Sequence, residues 1–228
     1  MRRTLLIFLI LLSFCYGVEA IDLVDVPTAE VVDYGSFEVR FRLYSQGGVL
    51  SRLNFGVVRN MNLGIYIDME KVIGSKDIGW GELNVPRLYL KFRLYPGSLQ
   101  WPSLSMGYDA QGYINYKTGE REKSRGAYMV LTKETFFPGF RMHLGGNVSL
   151  AEEMEKFFGF LGLDYRFSDR LLLYSEYDRI RRLDEARWNI GFRYKIGPNI
   201  SADFCIRDVL EETITTERIL RVIYRGIF

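Results

Sequence analysis

A two-residue period of hydrophobicity recurs along almost the whole of this chain, and it constrains the fold more than any other feature. In 37–44, Phe37, Val39, Phe41 and Leu43 alternate with Glu38, Arg40, Arg42 and Tyr44. In 88–95, Leu88, Leu90, Phe92 and Leu94 alternate with Tyr89, Lys91, Arg93 and Tyr95. The same holds in 188–196, where Trp188, Ile190, Phe192, Tyr194 and Ile196 oppose Asn189, Gly191, Arg193 and Lys195. In 200–207, Ile200, Ala202, Phe204 and Ile206 oppose Ser201, Asp203, Cys205 and Arg207. Successive side chains of an extended strand point to opposite faces, so each segment reads as a strand with one apolar and one polar face. Twelve such strands are predicted, near 35–45, 52–59, 63–71, 87–95, 102–110, 126–133, 140–148, 158–167, 171–179, 187–196, 200–208 and 216–228. The facing of 126–133 is ambiguous.

Alternation alone does not say which face meets water. A soluble barrel hides its apolar face, whereas a membrane barrel turns it to lipid and collects charge in the lumen. Three features favour the second. Leu220, Val222, Tyr224, Gly226 and Phe228 alternate up to a terminal Phe, which resembles the assembly signal of bacterial outer-membrane barrels, so Tyr224 and Phe228 are assigned that role. The connections also alternate in length. Tight turns at 60–62, 96–99, 134–139, 168–170 and 197–199 interleave with longer, more charged ones at 72–86, 111–125, 149–157, 180–186 and 209–215. Short periplasmic turns with longer outer loops are a barrel feature. Finally, Phe37, Phe140, Phe167 and Phe228 fall at periplasmic strand ends, and Tyr177 and Trp188 near outer ends, as interfacial girdles require. The expected fold is an all-β, closed antiparallel up-and-down barrel, and twelve is an even number, as single-chain bacterial barrels have.

The N-terminus reads differently. Arg2 and Arg3 precede an apolar run from Thr4 to Phe14, shorter than the roughly 20 residues of a spanning helix. Val18-Glu19-Ala20 supplies a plausible cut, so 1–20 is read as a signal peptide, 21–34 as a periplasmic segment and 35–228 as the barrel. Lipidation at Cys15 is disfavoured by bulky Phe14 before it. One cysteine then remains, Cys205, so no internal disulfide is expected. A content of 48% hydrophobic residues and a net charge of +2 argue against a disordered tail and against a nucleic-acid binder acting through bulk charge. The expected location is the outer membrane of a Gram-negative-type bacterium, with its lipid and the barrel-assembly machinery as partners.

Several motifs add a resemblance. Val26-Pro27-Thr28-Ala29-Glu30, Asp33-Tyr34-Gly35-Ser36-Phe37 and Gly47-Gly48-Val49-Leu50 resemble the opening of an uncharacterised bacterial outer-membrane family. Val72-Ile73-Gly74, the Pro-X-X-X-X-Gly-X-Asp segment Pro102–Asp109, Gln111-Gly112-Tyr113, Glu176-Tyr177-Asp178 and Asn189-Ile190-Gly191-Phe192-Arg193 continue it over nearly all of the mature chain. The chain is also distantly similar to the YjbH proteins, outer-membrane barrels linked to exopolysaccharide production. That resemblance implies a location and a link to envelope polysaccharide, and it carries no catalytic residues.

Local chemistry is sparse. His143, the only histidine, shares the parity of Arg141 and so points to the lumen. It reads either as one more polar lining residue or as the general base of a barrel hydrolase, the alternative function. One histidine and one mature cysteine offer no metal cluster, and Glu152, Glu153 and Glu155 read as a solvated acidic loop. Gly145-Gly146 falls inside a strand rather than before a helix, so it is no phosphate loop. No cofactor is expected. The inward charges say most. Eleven bases and eight acids share the polar faces. Among them are Glu38, Arg40, Arg42, Asp68, Lys91, Arg93, Arg141, Glu176, Asp178, Arg193, Arg207, Arg221 and Arg225. Two readings follow: a salt-bridged, filled interior, or a narrow pore whose basic lining selects anionic or saccharide solutes.

Overall fold

The computed structural model describes residues 20–74, 79–80, 86–110, 113–114, 121–122, 125–149, 156–181, 186–209 and 216–228. Twelve long strands form the wall. They are β1 (Ser36–Tyr44), β2 (Gly48–Val58), β3 (Met61–Glu70), β4 (Arg87–Tyr95), β5 (Ser103–Asp109) and β6 (Gly126–Glu134). The second half is β7 (Phe140–Ser149), β8 (Lys156–Arg166), β9 (Leu171–Ile180), β10 (Arg187–Lys195), β11 (Ile200–Arg207) and β12 (Glu217–Ile227). Each pairs antiparallel with the next, and β1 pairs with β12 from Ser36↔Ile227 to Leu43↔Leu220, so the sheet closes. This is the twelve-stranded up-and-down barrel that the alternation predicts. Closure leaves no strand with a free edge, as lipid requires of a spanning sheet. Trp80 and Gly79 extend β3 by a two-residue pairing, and 113–114 pair with 121–122.

Facing follows the predicted parity. On β11, Asp203 is fully buried while its neighbour Phe204 is 39% exposed. Phe41, Leu88, Met129, Leu144, Leu173, Phe192, Leu220 and Val222 all lie on the exposed side. Apolar outside and charged inside is the polarity of a barrel in lipid, and it excludes a soluble barrel with an apolar pocket. Aromatic rings gather at the end that carries the short turns. Phe37 lies 6.0 Å from Tyr224, Phe55 6.3 Å from Phe228, and Phe140 6.4 Å from Tyr165. Nearer the other end, Tyr177 stacks on Trp188 at 6.3 Å.

The ambiguous strand resolves in β6. Tyr128, Val130 and Thr132 face inward, and Ala127, Met129 and Leu131 face outward. Both faces are apolar because this stretch of wall packs against an apolar occupant. Val26, Ala29, Tyr128, Val130 and Phe160 form one buried cluster.

That occupant corrects the reading of 21–34 as a periplasmic segment. Residues 20–33 run inside the barrel, with Ala20, Ile21, Leu23, Val24, Val26, Thr28 and Ala29 at 2% exposure or less. The wall makes room for it with glycine. At Gly56 a Cβ would fall on the carbonyl oxygen of Asp33, and at Gly162 it would meet a Leu23 methyl at 2.6 Å. The predicted signal peptide, apart from Ala20, lies outside the described residues, as do Glu152, Glu153 and Glu155.

Candidate functional site: a lumen filled by its own N-terminal segment

The register of the wall brings like charges together. Arg40 stands directly opposite Arg52 across β1 and β2, and Arg42 directly opposite Arg221 across β1 and β12. Opposed like charges destabilise an antiparallel pair, and a buried charge without a partner is costly. Residues 20–33 supply the missing acids. Asp22 takes Arg40 Nη1 at 2.9 Å and Arg52 Nη1 at 2.6 Å, with Lys91 Nζ at 3.9 Å. Asp25 takes Arg42 Nη1 at 2.8 Å and Arg207 Nε at 2.9 Å. Glu30 lies 3.3 Å from Arg141 and 3.7 Å from Arg93. Burial alone would raise the Asp22 pKa. The charges of Arg52, Arg40 and Lys91 outweigh it and hold the carboxyl well below the usual carboxylate range.

The segment is not itself a strand of the wall, so its backbone groups need other partners. Wall side chains provide them. The Glu176 carboxylate accepts the N–H groups of Val24, Asp25 and Val26 at 2.9, 2.8 and 3.0 Å, and a fourth bond from Asn189 Nδ2 at 2.7 Å. Lys91 Nζ donates to the carbonyls of Ile21 and Glu30, at 3.0 and 2.9 Å. Arg221 Nη1 donates to the Val24 carbonyl at 3.1 Å. Asn62 clasps Val32, accepting its N–H at 2.7 Å and donating to its carbonyl at 2.9 Å. Ala29 donates to the Thr132 hydroxyl and accepts from Ser105.

A second set of ion pairs links wall to wall. Arg193 grips Asp203 side-on at 2.7 and 2.8 Å, and Arg221 reaches the same carboxylate at 2.6 Å. Arg141 grips Asp164 at 3.0 and 2.8 Å. Glu38 joins Arg40 and Arg225, Arg207 joins Glu217, and Asp178 joins Arg125. Among the predicted lining residues, Asp68 is only half-buried, holding the Tyr44 hydroxyl at 2.7 Å, and Arg93 and Arg225 are also partly exposed. Sequence reasoning missed Asp22, Asp25, Glu30, Arg52 and Arg125. Arg52 could have been found, because it keeps parity with Asn54 and Gly56. The excess of inward bases over inward acids was a signal that acids elsewhere enter the lumen.

His143 does acquire the partners a general base would need. Its Nδ1 lies 2.8 Å from the Thr132 hydroxyl, and its Nε2 lies 3.0 Å from Asp164. Both come from register: Thr132 pairs with His143 across β6 and β7, and Asp164 pairs with the adjacent Arg141 across β7 and β8. The site is closed, however. His143 is fully buried, and the Thr132 hydroxyl already accepts the Ala29 N–H. Among the described residues, no group of His, Cys, Asp and Glu has the arrangement of a metal site.

No family profile and no curated protein matches the chain. Among solved structures it is similar to the KdgM porin, with a TM-score of 0.52 at 14% identity over 85% of this chain and 99% of that one. More distant are Omp33, an outer membrane protein of Acinetobacter baumannii (TM-score 0.46, 8% identity, 87% and 100% covered), and the NanC porin (TM-score 0.43, 9% identity, 84% and 99% covered). At such identities the likeness extends to the fold: the chain has the closed antiparallel barrel seen in the KdgM porin.

Proposed function

We propose that this protein is a non-enzymatic outer-membrane barrel closed at rest by residues 20–33, and a narrow path for anionic or saccharide solutes once they move. The observation that carries the reading is Asp22 seated between the opposed Arg40 and Arg52. With the segment in place the lumen is filled and its charges are paired. With it displaced, the same arginines line an emptied lumen, and fixed positive charge lowers the barrier for anions. The exposed apolar outer face and the aromatic rings at both ends support a location in the outer membrane. The resemblance to the YjbH proteins is the basis for linking the barrel to envelope polysaccharide export.

Planar-bilayer recording of the full chain tests this. Little or no conductance is expected from the unmodified protein. Glu176→Ala, which removes three anchors of the segment, should produce small openings that favour anions. Steady open conductance in the unmodified protein, or cation selectivity in the variant, would overturn the reading. Silence from both would leave a purely structural barrel. The same reading gives Tyr224 and Phe228 the role of assembly signal. Phe228 is largely exposed, and its N–H donates to Gly35 at 2.9 Å beside the barrel seam. Phe228→Asp should therefore lower the yield of assembled barrel without blocking export.

A further inference from the structure

Large apolar side chains scattered singly over a surface need no partner, but a group of them marks an interface. Two neighbouring turns of this barrel carry such a group. The β4–β5 turn presents Leu99 fully exposed and Trp101 67% exposed, and the β6–β7 turn presents Phe136 fully exposed and Phe137 75% exposed. The turns leave from adjacent strand ends, because β5 pairs with β6 from Ser103↔Thr132. Both are held by their own hydrogen bonds. Ser98 Oγ accepts the Gln100 and Trp101 N–H groups at 3.3 and 3.0 Å, and the Ser98 N–H donates to the Trp101 carbonyl at 2.9 Å. In the other turn, Thr135 Oγ1 accepts the Phe137 N–H at 3.2 Å, and Glu134 Oε1 accepts that of Gly139 at 2.8 Å. The apolar side chains are therefore set out in advance of any contact, which lowers the ordering cost of making one.

Lys133 indicates which way the first turn leans. It keeps the parity of Ala127, Met129 and Leu131, the outward residues of β6. From that face its ammonium donates to the carbonyls of Ser98 and Leu99, at 2.8 and 2.5 Å. The β4–β5 turn thus curls past the end of β5 onto the outer side of the wall. It is tied there to the strand that leads into the second turn. The wall is also shortest at this point, since β5 has 7 residues, the fewest of the twelve wall strands. A strand of that length rises about 23 Å, or about 18 Å at a tilt of about 40°. The apolar band of a transmembrane barrel is about 25 Å tall.

We propose that these two turns form a foot in the periplasmic leaflet of the outer membrane. Leu99, Trp101, Phe136 and Phe137 lie among the phospholipids and continue the apolar face that Met106, Leu131 and Met142 begin. Lys133 sits at the level of the phosphates. Two of its three donors serve turn carbonyls that lipid chains could not satisfy, and a phosphate oxygen takes the third. The foot adds the height that β5 lacks and fixes the depth of the barrel on this one side. The proposal rests on the barrel lying in the outer membrane and is independent of conduction.

Tryptophan emission of the full chain tests it. With Trp80→Phe and Trp188→Phe, Trp101 is the only tryptophan left of three. The protein is placed in vesicles of phosphatidylcholine brominated in the upper half of its acyl chains, with iodide on both sides as the aqueous quencher. Relative to unbrominated lipid, emission should fall at least twofold, and iodide should change it little. A second reporter, with Trp101→Phe and Phe192→Trp added, reads the outward face of the wall itself. Heat-dependent gel mobility checks that both reporters have folded. Quenching of Trp101 by iodide and not by bromine would overturn the foot. Shielding from both quenchers would overturn it too, because another protein or a second copy would then cover the patch. If bromine quenches the second reporter and not Trp101, the foot fails and the membrane location stands. If bromine quenches neither, the membrane location fails and the foot with it.

Discussion

Asp203 and Phe204 are neighbours in the chain and meet different surroundings. Asp203 is fully buried between Arg193 and Arg221, while Phe204 is 39% exposed and tilts against Phe192 at 6.1 Å. The contrast extends around the barrel. Its outward face is a layer of apolar side chains that need only be apolar. Its interior is built largely from individual pairings, such as Arg193 with Asp203 and Arg141 with Asp164. A substitution outside is therefore felt through transfer into lipid, and one inside through the partner it abandons.

The contrast can be broken from either side. Asp203→Ala should have the largest effect, about 3–5 kcal/mol, because it leaves two buried guanidinium groups without their shared acid. Reversible unfolding in detergent measures it, and a cost below about 1 kcal/mol would show that water replaces the carboxylate. Phe204→Arg or Phe192→Arg should follow, at about 2–4 kcal/mol in a bilayer, the range for arginine at the midplane of a barrel. A neutral result there would mean that the outer face meets water.

The inserted segment offers a third way, since it borrows the inner face without belonging to the wall. Gly56→Val puts a side chain where the Asp33 carbonyl passes, so it should displace the segment and leave the barrel closed. The expected cost is about 1–3 kcal/mol, as for overpacking. Faster protease cleavage within 20–33, with unchanged heat-dependent gel mobility, would show it. The smallest effect concerns acid. Asp22 titrates lower in the folded protein than in the unfolded chain, because Arg52, Arg40 and Lys91 outweigh the cost of its burial. Its contribution is present above the unfolded value of about 4 and lost as pH falls below it, at up to about 1.4 kcal/mol per pH unit. Asp22→Asn should remove that part of the slope, and an unchanged slope would assign the acid sensitivity elsewhere.

Much of this was legible residue by residue. Phe37 to Tyr44 and Trp188 to Ile196 announce their strands, because a period of two has one backbone explanation. Most of the predicted strand limits lie within a few residues of those observed; β2 begins earliest of expectation, at Gly48 rather than 52. Lining residues such as Arg193 and Arg221 were legible for the same reason. Residues 21–34 were not. Ile21 to Asp33 has no strand period, and nothing local distinguishes a chain lying below a barrel from one threaded through it. Thr132 and Asp164 likewise become neighbours of His143 only through cross-strand register.

Alternation in the sequence by itself determined that these strands exist, how many they are and which face of each carries charge, because side-chain direction in a strand is set by the backbone alone. Only the tertiary structure decided what the charged faces would meet. The β1–β2 register sets Arg40 against Arg52, closure sets Arg42 against Arg221, and the repulsion so created is relieved by Asp22 and Asp25, from a segment that contributes no strand to the wall. Ion pairing depends on distances of a few ångströms between residues far apart in sequence, and those distances exist only once the barrel has closed around its own N-terminal segment.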